Sequence, residues 1–294
     1  MSGCEAGWTI LIHGGAKTIA PEDERANREG LDEAVRAGAG VLQQGGTALA
    51  AVEAAIRVME ERPVFNAGSG SVANRDGGIE LDAAIMDGAT LAIGAVAALP
   101  LVRHPISVAR EVLAEREILL AGQGALAFAR DCGAELRDPE ERGPVRVAAS
   151  AGSACDTVGA LARDGRGNFA AATSTGGLEG TLAGRVGDSP LPGCGFYADN
   201  TAGAVALSGD GEDIARLALA ARIIDKLGRM DVKAALECSL TRIAQLGAEA
   251  GAIALDKHGN PGFAHNSRHF AVASLHEGET APAIWLSRHE EQGR

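Results

Sequence analysis

The stretch Cys155-Asp156-Thr157-Val158-Gly159-Ala160-Leu161-Ala162 turns at Arg163-Asp164-Gly165-Arg166-Gly167-Asn168 and returns as Phe169-Ala170-Ala171-Ala172-Thr173-Ser174-Thr175-Gly176-Gly177. Two short apolar runs about a turn that holds Asp-Gly predict a β-hairpin. With Ala162 facing Phe169, antiparallel pairing sets Thr157 opposite Ser174 and beside Thr175, to within one residue of register. Three hydroxyls then gather at one end of a hairpin whose other side chains are small and apolar.

A threonine hydroxyl is a weak nucleophile until a base takes its proton. A cut before Thr157 would free an α-amino group with a reference pKa of about 7.7 to 8.0, a base of suitable strength carried by the nucleophile itself. Thr157 is thus a candidate N-terminal nucleophile exposed by breaking Asp156-Thr157. Threonine is also an ordinary strand former, and the hairpin alone accommodates either role.

At 294 residues the chain makes one large domain or two. It is 46% hydrophobic but only 3% aromatic, so its core must be built from Ala, Val, Leu and Ile. The net charge of -12, without a Lys/Arg run or aromatic-basic interleaving, argues against nucleic acid and other polyanions as partners. A small anionic substrate would need a local cation. The start lacks a basic leader, and no uncharged apolar run reaches the roughly 18 residues of a membrane span, so a soluble cytoplasmic protein is expected. The five cysteines, Cys4, Cys132, Cys155, Cys194 and Cys238, are far apart and fit reduced thiols.

Along the chain, Trp8 to Ile12 predicts a buried strand ending in a His13-Gly14-Gly15 turn. A helix from about Asp23 to Gly45-Gly46 follows, then one capped by Thr47. A loop from Glu60 to Ser71 leads to strands near Ile79–Met86 and Leu91–Ala98 and helices over Pro105–Leu120 and Ala125–Arg130. From Arg137 to Cys155 charged, Pro/Gly and small-residue tracts read as a mobile linker, where a scission site can be reached. Beyond the hairpin come a polar loop at 185–193, a strand at Ala202–Leu207 and a helix with Ile214, Leu217, Ala221 and Ile224 on one face. A further helix after Asp231 and strands near Ala252–Leu255 and Phe270–Leu275 complete the chain. Hairpins outnumber βαβ units, which predicts a layered α+β or αββα sandwich and not a doubly wound sheet.

Two loops carry candidate binding chemistry. Arg185 and Asp188 suit the carboxylate and ammonium of an amino-acid substrate, or form a surface ion pair. Ser208-Gly209-x-Gly211 offers a hydroxyl and backbone N–H groups that can stabilise an oxyanion, or simply caps a helix. The Gly193-x-Gly195-x-x-Ala198 pattern neither follows a predicted strand nor opens a helix, so a dinucleotide site is set aside. Seven scattered histidines make no transition-metal cluster.

Together these segments resemble the plant-type L-asparaginase / isoaspartyl peptidase family of N-terminal nucleophile hydrolases. The resemblance runs over nearly the whole chain: Ile12-His-Gly-Gly15, Phe65-Asn-Ala-Gly68, Asn74-Arg-Asp76, Glu80-Leu-Asp-Ala-Ala-Ile-Met-Asp-Gly88, Asp156-Thr-Val-Gly-Ala160, Ala171-Ala-Thr-Ser-Thr-Gly-Gly177, Gly184-Arg-Val-Gly-Asp-Ser-Pro190 and Gly259-Asn260. It implies a four-layer αββα sandwich of one domain, built from an α chain (1–156, with the linker at about 137–156) and a β chain (157–294) made by self-cleavage. It also implies hydrolysis of asparagine and of β-aspartyl dipeptides.

By that resemblance Thr157 is the nucleophile, Thr175 orients it, and Ser208 and Gly209 form the oxyanion hole. Arg185 and Asp188 hold the substrate, with Gly209 and Gly211 at the pocket. Asp156, Asn66 and the His13-Gly14-Gly15 loop belong to autoprocessing. No cofactor serves the chemistry, but a structural sodium is implied on the backbone carbonyls of Met59, Glu60, Arg62, Phe65, Ala67 and Ser69. A dimer of αβ units is implied as the assembly. The chain departs from the family at Ser208, where threonine is usual, and at Asp210, which adds an anion beside the site. A glycosylasparaginase-like specificity, suggested by Tyr197-Ala-Asp-Asn-Thr-Ala-Gly203, and an uncleaved binding protein are the competing readings.

Overall fold

The computed structural model describes residues 7–137, 157–287 and 290. The predicted linker beyond Arg137, and with it Asp156, lies outside them. In chain order the elements are β1 (Thr9–Lys17), α1 (Glu24–Gln43), α2 (Ala48–Glu61), β2 (Leu81–Asp87), β3 (Ile93–Leu99), α3 (Pro105–Val112), β4 (Leu119–Ala121) and α4 (Gly122–Asp131). Then follow β5 (Thr157–Arg163), β6 (Phe169–Thr175), β7 (Phe196–Asp199), β8 (Gly203–Gly209), α5 (Gly211–Leu217), α6 (Leu219–Leu227), α7 (Val232–Ala244), β9 (Ala250–Asp256), β10 (Pro261–His265), β11 (His269–His276) and β12 (Ala283–Trp285).

The strands make two sheets, ordered β12-β11-β1-β5-β6-β2-β3-β4 and β10-β9-β8-β7. Side-chain alternation along β5 and β6 divides the layers. Val158, Ala160, Ala162, Ala170 and Ala172 join Leu31, Val35, Val52, Ala55 and Ile56 of α1 and α2 in one core. Leu161, Phe169 and Ala171 point the other way and pack on Ala204, Ala206 and Ile253 of the second sheet. The far face of that sheet is covered by Ile214, Leu219, Ile223, Leu236 and Leu240 of α5 to α7. The result is the four-layer αββα sandwich expected, and alanine is the commonest buried residue between its two sheets.

Several local expectations change. The hairpin pairs Arg163 with Phe169, one residue from the predicted register, so Thr157 faces Thr175 and not Ser174. Asp164 widens the turn: its Oδ1 accepts the Arg166 and Asn168 N–H groups at 2.9 and 3.0 Å, while its Oδ2 reaches Ala48 N–H of α2 at 3.3 Å. The His13-Gly14-Gly15 segment is not a terminal turn but a bulge inside β1, where pairing with β11 shifts between His13 and Ala16. Helix α3 stops at Val112, and part of the predicted helix to Leu120 is strand β4. The helix after Asp210 breaks at Ala218, whose φ of 46° is left-handed. That break rotates the apolar face, burying Ala220 and Ile223 and leaving Ala221 exposed.

Candidate active site

Thr157 opens β5 on the face that meets the second sheet. It is 7% exposed, and its Oγ1 shares a 2.7 Å hydrogen bond with Ser189 Oγ. Its N–H, a peptide amide in the uncut chain, donates to Ser208 Oγ at 3.2 Å. Ser208 is fully buried on β8 of the facing sheet and also accepts the Ala16 N–H, at 3.0 Å. Both N–H groups meet acceptor positions of the hydroxyl, and a hydroxyl proton is the type of donor that an oxyanion hole uses. Gly209 follows with φ +149°, and a Cβ there would run into the Glu249 carbonyl, so this position requires glycine.

Asp210 fixes the same turn. Its carboxylate accepts the Glu249 N–H at 2.7 Å and its own N–H donates to the Glu249 carbonyl at 2.8 Å. The anion beside the site therefore ties β8 to β9.

Thr175 ends β6 directly opposite Thr157 and accepts the Gly177 N–H at 3.2 Å. Asn66 clamps the residues after it: Asn66 Nδ2 donates to the Gly177 carbonyl at 2.7 Å, and the Gly176 N–H donates to the Asn66 carbonyl at 2.9 Å. Ser174 departs from the expected trio of hydroxyls. Its position in the alternation turns it to the helical layer, where it donates to Glu60 Oε1 at 2.7 Å. Burial pushes the Glu60 carboxyl up, opposed by hydrogen bonds from His104 and Ser174.

Arg185, Asp188 and Gly211 do come together. A Cβ on Gly211 would sit 2.7 Å from Asp188 Oδ1 and 3.2 Å from an Arg185 guanidinium nitrogen. Arg185 is not paired as expected, for its fork holds Glu212 at 2.9 and 2.8 Å. Asp188 is 3% exposed, its Oδ2 makes no hydrogen bond among the described residues, and burial raises its pKa to about 7, against the pull of its own backbone N–H and of Arg185.

His13 lies directly opposite Gly159, in the space that a Cβ on Gly159 would fill. It packs on Phe270 at 5.3 Å, and burial lowers its pKa to about 3, the Thr157 backbone opposing, so it is neutral at ordinary pH. Gly14 and Gly15 form the bulge, with Gly14 against the Phe65 ring. In the 59–69 loop the carbonyls of Glu60 and Phe65 crowd the space where Cβ atoms on Gly68 and Gly70 would lie. The Met59, Arg62 and Ala67 carbonyls accept the N–H groups of Arg62, Phe65 and Gly70, and Ser69 Oγ accepts from Arg137 at 3.3 Å. Met59 and Glu60 end α2 and the other four follow in the loop, and backbone carbonyls are a donor type suited to a hard cation.

Three residues escaped the sequence reading of roles. Ser189, beside Asp188, meets the Thr157 hydroxyl. Glu212 occupies Arg185. Asp82, buried on β2, is paired directly with Thr175. Each lies inside or beside a quoted motif, but only tertiary placement brings it to the site.

The family model described as Asparaginase matches residues 6–144 and 140–284. A plant-type L-asparaginase of Pyrococcus abyssi is 44% identical, covering 93% of this chain and 98% of its own. An isoaspartyl peptidase of Salmonella typhimurium is 40% identical over 92% and 96%, and an isoaspartyl peptidase/L-asparaginase of Rattus norvegicus is 42% identical over 72% and 68%. With matches of this length and identity, the chain belongs to the asparaginase family that includes plant-type L-asparaginases and isoaspartyl peptidases.

Proposed function

We propose that this chain cleaves itself before Thr157 and then hydrolyses the side-chain amide of L-asparagine and of β-aspartyl dipeptides. The observation that carries the reading is the placement of Thr157 at the buried start of β5, its hydroxyl on Ser189 and its nitrogen on Ser208. In maturation Thr157 Oγ1 attacks the Asp156 carbonyl carbon, and the acyl group passes from nitrogen to oxygen. Water hydrolyses the ester, leaving a carboxylate on Asp156 and a free amine on Thr157. The products are an α chain of 1–156 and a β chain of 157–294.

In turnover the free amine takes the Thr157 hydroxyl proton as Oγ1 attacks the β-carbonyl of the substrate. Ser208 and Gly209 stabilise the oxyanion, and Thr175 orients the nucleophile from the adjoining strand. Ammonia or the peptide amine leaves with a proton, and water cleaves the β-aspartyl ester to regenerate Thr157. Arg185 receives the α-carboxylate in exchange for Glu212, and Asp188 receives the α-ammonium beside Gly211. His13, Gly14, Gly15 and Asn66 support the autoprocessing geometry. Met59, Glu60, Arg62, Phe65, Ala67 and Ser69 would hold a structural sodium through their carbonyls, stiffening the loop that carries Asn66. A cytoplasmic location and a dimer of αβ units accompany the reading.

Intact-mass analysis tests it. A fragment beginning Thr-Val-Gly-Ala is expected, and Thr157→Ala should abolish both cut and hydrolysis. One unbroken chain that still hydrolyses β-Asp-Leu overturns the scheme.

A further inference from the structure

Resting on the substrate assignment just made, we propose that Asp82 is a second ammonium-binding carboxylate of the pocket, acting beside Asp188. Asp82, Thr175 and Thr157 are consecutive direct partners across β2, β6 and β5. Directly opposed residues share a face of the sheet, so Asp82 stands in the same row as the nucleophile. Its neighbours in the alternation agree: Ala84 and Met86 pack toward the second sheet, whereas Ala83 and Ile85 pack toward the helices.

The backbone is shaped around this carboxyl. Pairing of β2 with β3 shifts between Leu81 and Ala83, because Ala97 and Ala98 together oppose Asp82. Ala98 sits at φ +47°, a left-handed conformation that is strained for an alanine. This strained bulge turns the Ala98 N–H onto Asp82 Oδ1 at 2.8 Å. Such strain persists where the surroundings demand it, and a site is the usual reason.

Among the described residues neither Asp82 Oδ2 nor Asp188 Oδ2, both buried, has a hydrogen-bond partner. Two unpaired buried acceptors within the field of one arginine match an ammonium, which brings three N–H donors. Burial dominates the electrostatics of Asp82 and holds its pKa near 7, with the Ala98 and Gly187 amides and Arg185 favouring the charge and Glu80 opposing it. At Asp188, Glu212 and Asp82 oppose the charge and Arg185 favours it. Burial, joined at Asp188 by the nearby Asp82, keeps the empty pair partly protonated, and a bound ammonium favours its ionised form.

Asp82→Asn keeps an acceptor for Ala98 and removes the charge, so comparing L-aspartate with succinate isolates the ammonium. In the matured variant the inhibition constant of L-aspartate should rise about tenfold or more while that of succinate does not rise, and KM for asparagine should rise more than kcat falls. Equal weakening of both ligands, or of neither, overturns the proposal. Should the variant fail to fold or to mature, calorimetry of L-aspartate binding to the wild-type enzyme at pH 6 in two buffers decides instead. Release of more than one proton per ligand is expected from two carboxyls, and one or fewer defeats it. Failure of the wild type to hydrolyse asparagine or β-aspartyl peptides would refute the substrate assignment itself, a separate outcome.

Discussion

Thr157 and Ser208 meet across the boundary between the two sheets, the Thr157 N–H donating to Ser208 Oγ at 3.2 Å. One hydroxyl thus touches the nitrogen that, on the proposed function, becomes the catalytic amine, and belongs to the residue proposed for the oxyanion hole. Ser208→Ala should lower kcat by about 100- to 1000-fold, the cost of one oxyanion donor, and slow self-cleavage as well. Ser208→Thr keeps the hydroxyl and narrows its rotamers, so activity should remain. Steady-state kinetics with an intact-mass time course reads both.

Ser189 holds the Thr157 hydroxyl from the other side. Its Oγ lies 2.7 Å from Thr157 Oγ1, and its own carbonyl is anchored by the Thr173 hydroxyl, also at 2.7 Å. A hydrogen bond of this kind contributes about 1 kcal/mol net, so Ser189→Ala should reduce kcat about five- to tenfold with little change in KM. A loss confined to KM would place Ser189 in binding instead.

What could be read from the sequence follows from how local each signal is. The β5–β6 hairpin and its αββα setting were legible because short apolar runs and an Asp-Gly turn are local features. The register slipped by one because Asp164 accepts N–H groups from within its turn and from α2, a contact that no pattern encodes. One residue of slip exchanges the faces, which is why Ser174 ends at Glu60 and only Thr175 partners Thr157. Ala218 breaks a helix without the glycine that usually announces a left-handed residue. Asp82 was hidden for the same reason: its setting depends on a bulge made by Ala98, again with no glycine to mark it.

On the proposed function Glu212 competes with the substrate carboxylate for Arg185. It fills the Arg185 fork with two bonds, yet its side chain is 52% exposed and the pair is correspondingly weak. Glu212→Gln removes the charge and leaves Arg185 in place. KM for asparagine should fall about two- to fivefold, in line with an exposed ion pair of at most about 1 kcal/mol. Progress curves over a range of asparagine concentrations test this, and an increased KM would mean that Glu212 positions Arg185 and does not compete.

Asp188 links activity and stability to pH in opposite directions. Its folded pKa, about 7, lies well above the ordinary 3.8 because the carboxyl is buried. On the proposed function the ionised form holds the α-ammonium, so kcat/KM should rise as pH increases through about 7, and the amine freed on Thr157, neutral only above about 7.7 to 8.0, should steepen that rise. Stability runs the other way. The folded state keeps the Asp188 proton that the unfolded chain has lost, so the advantage of the neutral carboxyl disappears as pH climbs from about 4 to 7. His13, lowered to about 3 by burial, acts oppositely, but only up to the ordinary histidine value of 6.5. The comparison is therefore cleanest between pH 6.5 and 8. Asp188→Asn is permanently neutral, so its melting temperature relative to wild type should be higher at pH 8 than at pH 6.5, measured by calorimetry on the uncut Thr157→Ala background. A difference that stays constant or reverses would show that Asp188 is ionised in the folded chain throughout this range.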